Sequence, residues 1–138
     1  MNKNKGFTII ELIVVIAIIA VLATIVLINV TQYINKGKDA AIKGNMATIL
    51  TNSAIWIDDS DNSGSYAGFD ESSGYTAPAA AIDNANEDPV PKVTTDAFCV
   101  TALLHDETTY CIDSTGSKGT LTSGSCDGAA DAHGFICN

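Results

Sequence analysis

The most constraining feature of this chain is an apolar run close to its N-terminus. The run extends from Phe7 to Ile28 and has three polar positions, Thr8, Glu11 and Thr24. About 20 apolar residues in a helix cross the roughly 30 Å hydrocarbon layer of a membrane. Fifteen Leu, Ile and Val residues favour insertion by about 5–9 kcal/mol, which exceeds the roughly 3 kcal/mol that one buried acid costs. The sequence therefore predicts a helix that inserts into a membrane.

The residues before this run indicate its direction in the membrane. Lys3 and Lys5 precede it and no acid does, so the positive-inside rule keeps residues 1–6 in the cytoplasm. A secretory signal peptide has an apolar region of about 7–15 residues, followed by a cleavage site of small residues. Here the run is longer and no such site follows it. A plain N-terminal signal anchor explains these features but leaves Glu11 unexplained.

A glycine, a phenylalanine and a spaced glutamate stand where the apolar run begins, in the stretch GFTIIEL of residues 6–12. With the short basic leader, this stretch resembles the processing site of type IV prepilins and of the pseudopilins of type II secretion. The resemblance implies that a prepilin peptidase cleaves after Gly6 and that Phe7 becomes the N-methylated first residue. It also implies that Glu11 guides assembly into a homo-oligomeric helical filament. The further partners it implies are the inner membrane, a pilus assembly ATPase and a platform protein.

The position of Glu11 also has a physical explanation. An acid within hydrocarbon normally has a partner or a functional task. After cleavage, the free amine of Phe7 would be a cation at nearly the same depth. When apolar helices pack side by side, Glu11 of one subunit can neutralise the N-terminus of its neighbour, and a subunit out of register cannot. The alternative is that Glu11 reaches the membrane interface from the first helical turn.

The fold class that we expect is α+β, with a long N-terminal helix packed on a small antiparallel sheet and a disulfide-pinned C-terminal loop. Apolar residues at three- and four-residue steps, including Ile42, Met46 and Ile49, predict that the helix continues beyond the membrane as an amphipathic helix. We expect four parts: a leader at 1–6, a transmembrane and filament-core helix at 7–30, an amphipathic helix at 31–57 and a globular head at 58–138.

Alternation between apolar and other side chains predicts a β-hairpin over residues 96–113. Its apolar face would cover the stripe of the amphipathic helix. A turn around His105 and Asp106 would join the arms. With His105 as its centre, Cys99 would lie directly opposite Cys111, within reach of a disulfide.

The other parts of the head have weaker signals. Residues 58–76 are rich in Asp, Ser and Gly, which predicts a loop. Residues 77–91 contain three prolines and are expected to form a connection between helix and sheet. Residues 117–122 are expected to supply a third strand.

Four cysteines in an exported chain suggest two disulfides. Three pairings are possible. We favour Cys99–Cys111 with Cys126–Cys137, each closing a loop of about a dozen residues and contributing roughly 3 kcal/mol. A zinc site is the alternative, but the chain has no Cys-x-x-Cys pair and has only two histidines.

One loop approximates a calcium-binding pattern. Asp59, Asp61 and Ser63 alternate before Gly64, and Asp70 stands at the twelfth position. The twelfth ligand of an EF-hand is normally Glu, however, and no helical pattern follows here. A solvated loop is the preferred interpretation, calcium is the alternative, and no other cofactor is expected.

Charge excludes some functions. After residue 57 the chain has fourteen acids and two lysines, and it has no arginine at all. Such a surface repels phosphate backbones, so no nucleic-acid partner is expected. Neither histidine has a spacing that suggests a catalytic base, and no serine lies in a nucleophile-elbow context. We therefore predict that the chain is not an enzyme.

The function that these patterns favour is that of a structural subunit of a type IV pilus. The chain would be a single-pass membrane protein before assembly and part of an extracellular filament on the cell surface afterwards. One alternative is a pseudopilin of a type II secretion system. The other is a membrane-tethered calcium- or ligand-binding module that does not polymerise.

Overall fold

The computed structural model describes residues 6–85, 88–121, 126 and 137, apart from the side chains of residues 27–29. Two compact units divide the chain, Met1–Lys36 and Gly37–Asn138. The elements in chain order are helix α1 (Ile9–Asp58), a 3₁₀ helix (Phe69–Glu71), helix α2 (Ser73–Asp83) and strands β1 (Val90–Val93), β2 (Phe98–Leu103), β3 (Thr109–Asp113) and β4 (Lys118–Leu121). The predicted α+β class, with a long N-terminal helix and a small antiparallel sheet, is confirmed.

The first unit consists of the apolar half of α1. Its described side chains from Gly6 to Val26 are all exposed, and they are aliphatic on every side of the helix. The mean hydropathy reaches 3.2 over an 18-residue window, of which nothing is buried. A helix that is apolar all round belongs in a membrane or in the core of a larger assembly. By length and composition, α1 is the one helix among the described residues that can cross a membrane.

In the second unit, the remaining part of α1 contributes one face to the core. Ile42, Met46 and Ile49 are fully buried at the predicted three- and four-residue steps. They belong to one cluster with the inward-facing sheet residues Phe98, Val100, Ala102, Leu104 and Ile112. The apolar stripe of the helix and the apolar face of the hairpin therefore meet as the sequence predicts.

The described strands form one antiparallel sheet in the order β1-β2-β3-β4. The predicted β2–β3 hairpin and the strand at 118–121 are present. The predicted register is wrong, because Cys99 lies opposite Asp113 and Cys111 lies opposite Thr101. The hairpin loop is centred on Asp106, one position later than the symmetric arrangement of the cysteines requires.

Besides the 3₁₀ helix, two elements lie in the region for which a loop and a connection were predicted. Strand β1 occupies Val90–Val93 at one edge of the sheet, and helix α2 contains Pro78. Proline has no backbone N–H, so Pro78 cannot donate to the carbonyl of Gly74 four residues earlier. The side-chain amide of Asn52 donates to that carbonyl instead, at 2.7 Å. The loop prediction was therefore wrong for these residues, because a side chain of α1 supplies the hydrogen bond that Pro78 cannot.

Aromatic side chains fill the end of the core next to α2. Phe69 is 1% exposed, and its ring centroid lies 5.6 Å from that of Phe98, 6.0 Å from Trp56 and 6.1 Å from Tyr75. Tilted and edge-on contacts of this kind add to the apolar area that each ring buries. Phe69 thus connects the 3₁₀ helix to α1, α2 and β2.

Candidate assembly site at the N-terminus

Helix α1 begins with a reciprocal cap formed by Thr8 and Glu11. The Thr8 backbone N–H donates to Glu11 Oε2 at 2.9 Å, and the Thr8 hydroxyl donates to the same oxygen at 2.7 Å. The Glu11 backbone N–H donates in turn to the Thr8 hydroxyl oxygen at 3.3 Å. This is the capping-box arrangement of a threonine at the N-cap and a glutamate three residues later. Glu11 is therefore a structural residue of the helix start in the single chain.

The capping role of Glu11 was not predicted from the sequence. The signal was present, because the order Thr-x-x-Glu before an apolar run is a pattern for a helix N-terminus. The cap uses only one of the two carboxylate oxygens of Glu11. Among the described residues, both hydrogen bonds to the carboxylate go to Oε2. A partner outside the helix could therefore bind Oε1 without displacing Thr8.

Gly6 and Phe7 precede the helix and pack against nothing in the described residues. Phe7 is 89% exposed. A Cβ added at Gly6 would meet no atom within 4 Å. The fold of the single chain therefore places no requirement on these two residues, and both are accessible to an enzyme.

The helix that follows presents a large apolar surface. Ile9 is 78% exposed and Leu12 is 61% exposed, and the side chains from Ile13 to Val26 are more than half exposed wherever they are large and apolar. Burial of such area stabilises by about 25 cal/mol per Å². Lipid or neighbouring apolar helices are the environments that suit this surface.

The residues of the proposed calcium loop are not gathered around one point. Asp59 Oδ1 accepts the backbone N–H of Asp61 at 3.0 Å, and Ser63 has a left-handed backbone with φ of 53°. Asp70 lies in the 3₁₀ helix. Within the described residues, clustered metal-ligand side chains occur only at Cys99, Cys111 and Cys137.

The four cysteines form two disulfides, but not in the favoured pairing. The bonds are Cys99–Cys126 and Cys111–Cys137. The prediction of Cys99–Cys111 with Cys126–Cys137 was wrong. It assumed that Cys99 lies directly opposite Cys111, whereas Cys99 lies opposite Asp113 and Cys111 opposite Thr101. All four sulfurs are bonded, so they are not free thiolates that could bind zinc.

Comparison with known proteins identifies the N-terminal segment. Residues 1–27 match the family model of the prokaryotic N-terminal methylation motif. This motif is the prepilin-type signature of type IV pilins and pseudopilins, so the resemblance inferred from residues 6–12 is confirmed. No curated protein and no solved structure matches the chain.

Proposed function

From the prepilin-type N-terminus, we propose that this chain is a structural subunit of a type IV pilus filament. The observation that carries the proposal is the methylation motif at residues 1–27, joined to an apolar helix whose described side chains are exposed on every side. Cleavage follows Gly6, and Phe7 becomes the methylated N-terminus. Loss of Lys3 and Lys5 changes the formal net charge from −9 to −11. The leader then covers residues 1–6 and the filament-core helix residues 7–30.

Glu11 has two successive roles in this proposal. In the membrane-bound subunit, its Oε2 caps the helix through Thr8. In the filament, Oε1 accepts a charged hydrogen bond from the Phe7 amine of a neighbouring copy. The addition of a subunit in register then compensates two charges that would otherwise stay unpaired in an apolar environment.

The partners and the localisation follow from this sequence of events. A prepilin peptidase removes the leader while the apolar helix spans the inner membrane. An assembly ATPase and a platform protein move the subunit into the filament, which is exposed on the cell surface. The role is mechanical, in agreement with the pilin-like signature, and it involves no catalytic residue of this chain.

A pseudopilin of type II secretion is the second candidate, because the same motif occurs in both kinds of subunit. Its subunits would form a short periplasmic assembly rather than a surface filament. The tethered module that does not polymerise is the third candidate.

Mass spectrometry of the chain from sheared surface filaments tests the proposal. We expect a chain that begins at a methylated Phe7 and lacks four hydrogens because two disulfides are closed. A processed chain found only in membranes would favour the pseudopilin. An unprocessed chain that begins at Met1 would contradict both assembly proposals and leave the tethered module.

Two substitutions separate the charge of Glu11 from its capping role. Glu11→Gln keeps an oxygen that can accept from Thr8, because glutamine also serves in capping boxes. We expect normal membrane insertion but loss of filaments, since the amide cannot neutralise an amine. Thr8→Ala removes the hydroxyl of the cap and keeps the charge, so filaments should still form. Equal assembly in E11Q and wild type would contradict the proposed neutralisation.

A further inference from the structure

The two disulfides lie side by side on the outer face of the sheet. Cys99 Sγ and Cys111 Sγ belong to different disulfides but are only 3.4 Å apart. Cys137 Sγ lies within 4.8 Å of both. Proximity of these three sulfurs therefore does not by itself decide which two of them form a bond.

A buried carboxylate lies next to this group of sulfurs. Asp113 is 0% exposed and stands opposite Cys99 in the register. Its Oδ1 accepts the Thr115 N–H at 2.9 Å, the Thr115 hydroxyl at 2.6 Å and the Ser117 N–H at 3.2 Å. Its Oδ2 accepts the backbone N–H of Cys137 at 2.8 Å. One oxygen thus orders the β3–β4 turn, and the other holds the C-terminal cysteine.

We propose that Asp113 is the positioning residue that selects the disulfide pairing. The turn fixes the carboxylate, and Oδ2 then holds the Cys137 backbone so that its sulfur meets Cys111. The bond forms when the two thiols lose two protons and two electrons to a disulfide-carrying oxidant, which becomes a dithiol. Cys99 is then left for Cys126, which closes the second bond with a second equivalent of the same oxidant. This role of Asp113 depends on contacts in and next to the sheet and does not require filament assembly.

Asp113→Asn tests this proposal because it replaces one of the two carboxylate oxygens by an NH₂ group. Among the described residues, three donors converge on Oδ1 and one on Oδ2, so the single oxygen of asparagine should face the turn. The amide NH₂ would then face the Cys137 N–H, and two donors cannot bond each other. Thr115→Val is the matched control, because it removes one donor from the turn side and leaves the Cys137 contact intact.

The experiment is oxidative refolding of the full chain in detergent micelles. The reduced, unfolded chain is reoxidised with oxidised and reduced glutathione, and the bonds are identified by peptide mapping without reduction. Wild type and T115V should give mainly Cys99–Cys126 with Cys111–Cys137. In D113N the ratio of this pairing to the other two should fall about tenfold, as expected for the loss of one hydrogen bond to a charged group. An unchanged ratio in D113N, or an equal fall in T115V, overturns the proposal.

A second measurement applies even if D113N folds poorly. In a chain with Cys99→Ser and Cys126→Ser, only Cys111 and Cys137 can pair, so mispairing is impossible. The equilibrium between this bond and glutathione reports how well the two thiols are positioned. We expect D113N to reduce the effective concentration of these thiols about tenfold in this chain, whereas T115V should change it little. Equal values in D113N and wild type would overturn the positioning role.

Discussion

At the scale of single residues, Asn52 replaces the helical hydrogen bond that Pro78 removes from α2. Its amide donates to Gly74 O, the acceptor that Pro78 leaves without a helical partner. The approach is close, since a Cβ at Gly74 would lie 3.2 Å from Asn52 Cβ. Glycine at this position therefore leaves room for the side chain that compensates the proline.

We predict that Asn52→Ala lowers the free energy of unfolding of the head by about 1–2 kcal/mol, because Gly74 O loses its donor. Urea unfolding followed by fluorescence of Trp56, the one tryptophan of the chain, measures this change. In a Pro78→Ala background, the new backbone N–H can bond Gly74 O, so the same substitution should cost less. Equal costs in both backgrounds would show that the Asn52 bond does not replace the missing helical one.

A second residue-scale prediction concerns Tyr75. Burial, with a smaller contribution from the charges of Asp88 and Asp70, raises its pKa to about 12. Because the pKa is higher in the folded state, the stability that this group contributes is complete below the unfolded pKa of about 10. It is lost as the pH rises from there to about 12. Burial also raises the pKa of Tyr66, so ultraviolet titration of phenolate should be compared with that of Tyr75→Phe, which should lose one late-titrating tyrosine. An unshifted titration of Tyr75 would contradict the prediction.

At the scale of elements, the turn between β2 and β3 accounts for the error in register. The Leu104 N–H donates to Thr108 O at 2.8 Å, and between them Glu107 has a left-handed backbone with φ of 66°. Three-residue hairpin loops place such a residue last, and glycine is the usual choice. Glutamate gives no such signal, so the sequence pattern predicted the hairpin but not its centre.

We predict that Glu107→Gly raises the free energy of unfolding by about 0.5–1 kcal/mol, because a non-glycine residue is strained in the left-handed region. Glu107→Ala should give no such gain, since alanine has the same Cβ. Urea unfolding of both variants by Trp56 fluorescence checks this. Equal stabilisation by alanine and glycine would point to the removed charge instead of the backbone.

The remaining helices and strands could be predicted only where residues close in sequence carry the signal. The stripe through Ile42, Met46 and Ile49 is a helical periodicity that holds in the structure. Strand β1 was missed because Pro91 lies inside it, although an edge strand can accommodate proline. Helix α2 was missed because its missing hydrogen bond is replaced by Asn52, 22 residues away from Gly74 in sequence. Of the candidate site, the resemblance to a prepilin-type motif was predicted from residues 6–12 and is confirmed, whereas the capping role of Glu11 was not predicted.

The loop after α1 carries a further element-scale prediction. Because the carboxylates of Asp59, Asp61 and Asp70 are not gathered, we expect no shift in the thermal midpoint of the head on addition of about 1 mM Ca²⁺, a concentration at which extracellular calcium modules bind. Thermal unfolding with calcium and with a chelator checks this. A calcium-dependent rise that disappears in Asp59→Ala would instead establish a site in this loop.

At the scale of the whole molecule, the disulfides join the C-terminal region to the middle of the sheet. Their sequence separations are 27 and 26 residues, so each closes a long loop. In the chain-entropy model, loops of this length contribute about 3–4 kcal/mol each. The pairing that the sequence suggested would have closed two loops of about a dozen residues and left the tail unattached to the sheet.

We predict that replacing either pair by serine, Cys99 with Cys126 or Cys111 with Cys137, lowers the free energy of unfolding of the head by about 3–4 kcal/mol. Urea unfolding of the two double variants, with and without a reductant, measures each bond separately. A loss well below 1 kcal/mol in either variant would mean that this bond does not constrain the unfolded chain.

The cap at Thr8 has a consequence for the end of the helix that cleavage would create. The aligned peptide groups of a helix place about half a positive charge at its N-terminus. Cleavage after Gly6 would add the cationic amine of Phe7 one residue before the cap, at the same pole. The amine and the half charge of the helix would then both lie near the carboxylate of Glu11 in the same chain. The processed N-terminus of α1 would thus attract anions. Within a membrane, the carboxylate of a second copy would neutralise its positive charge.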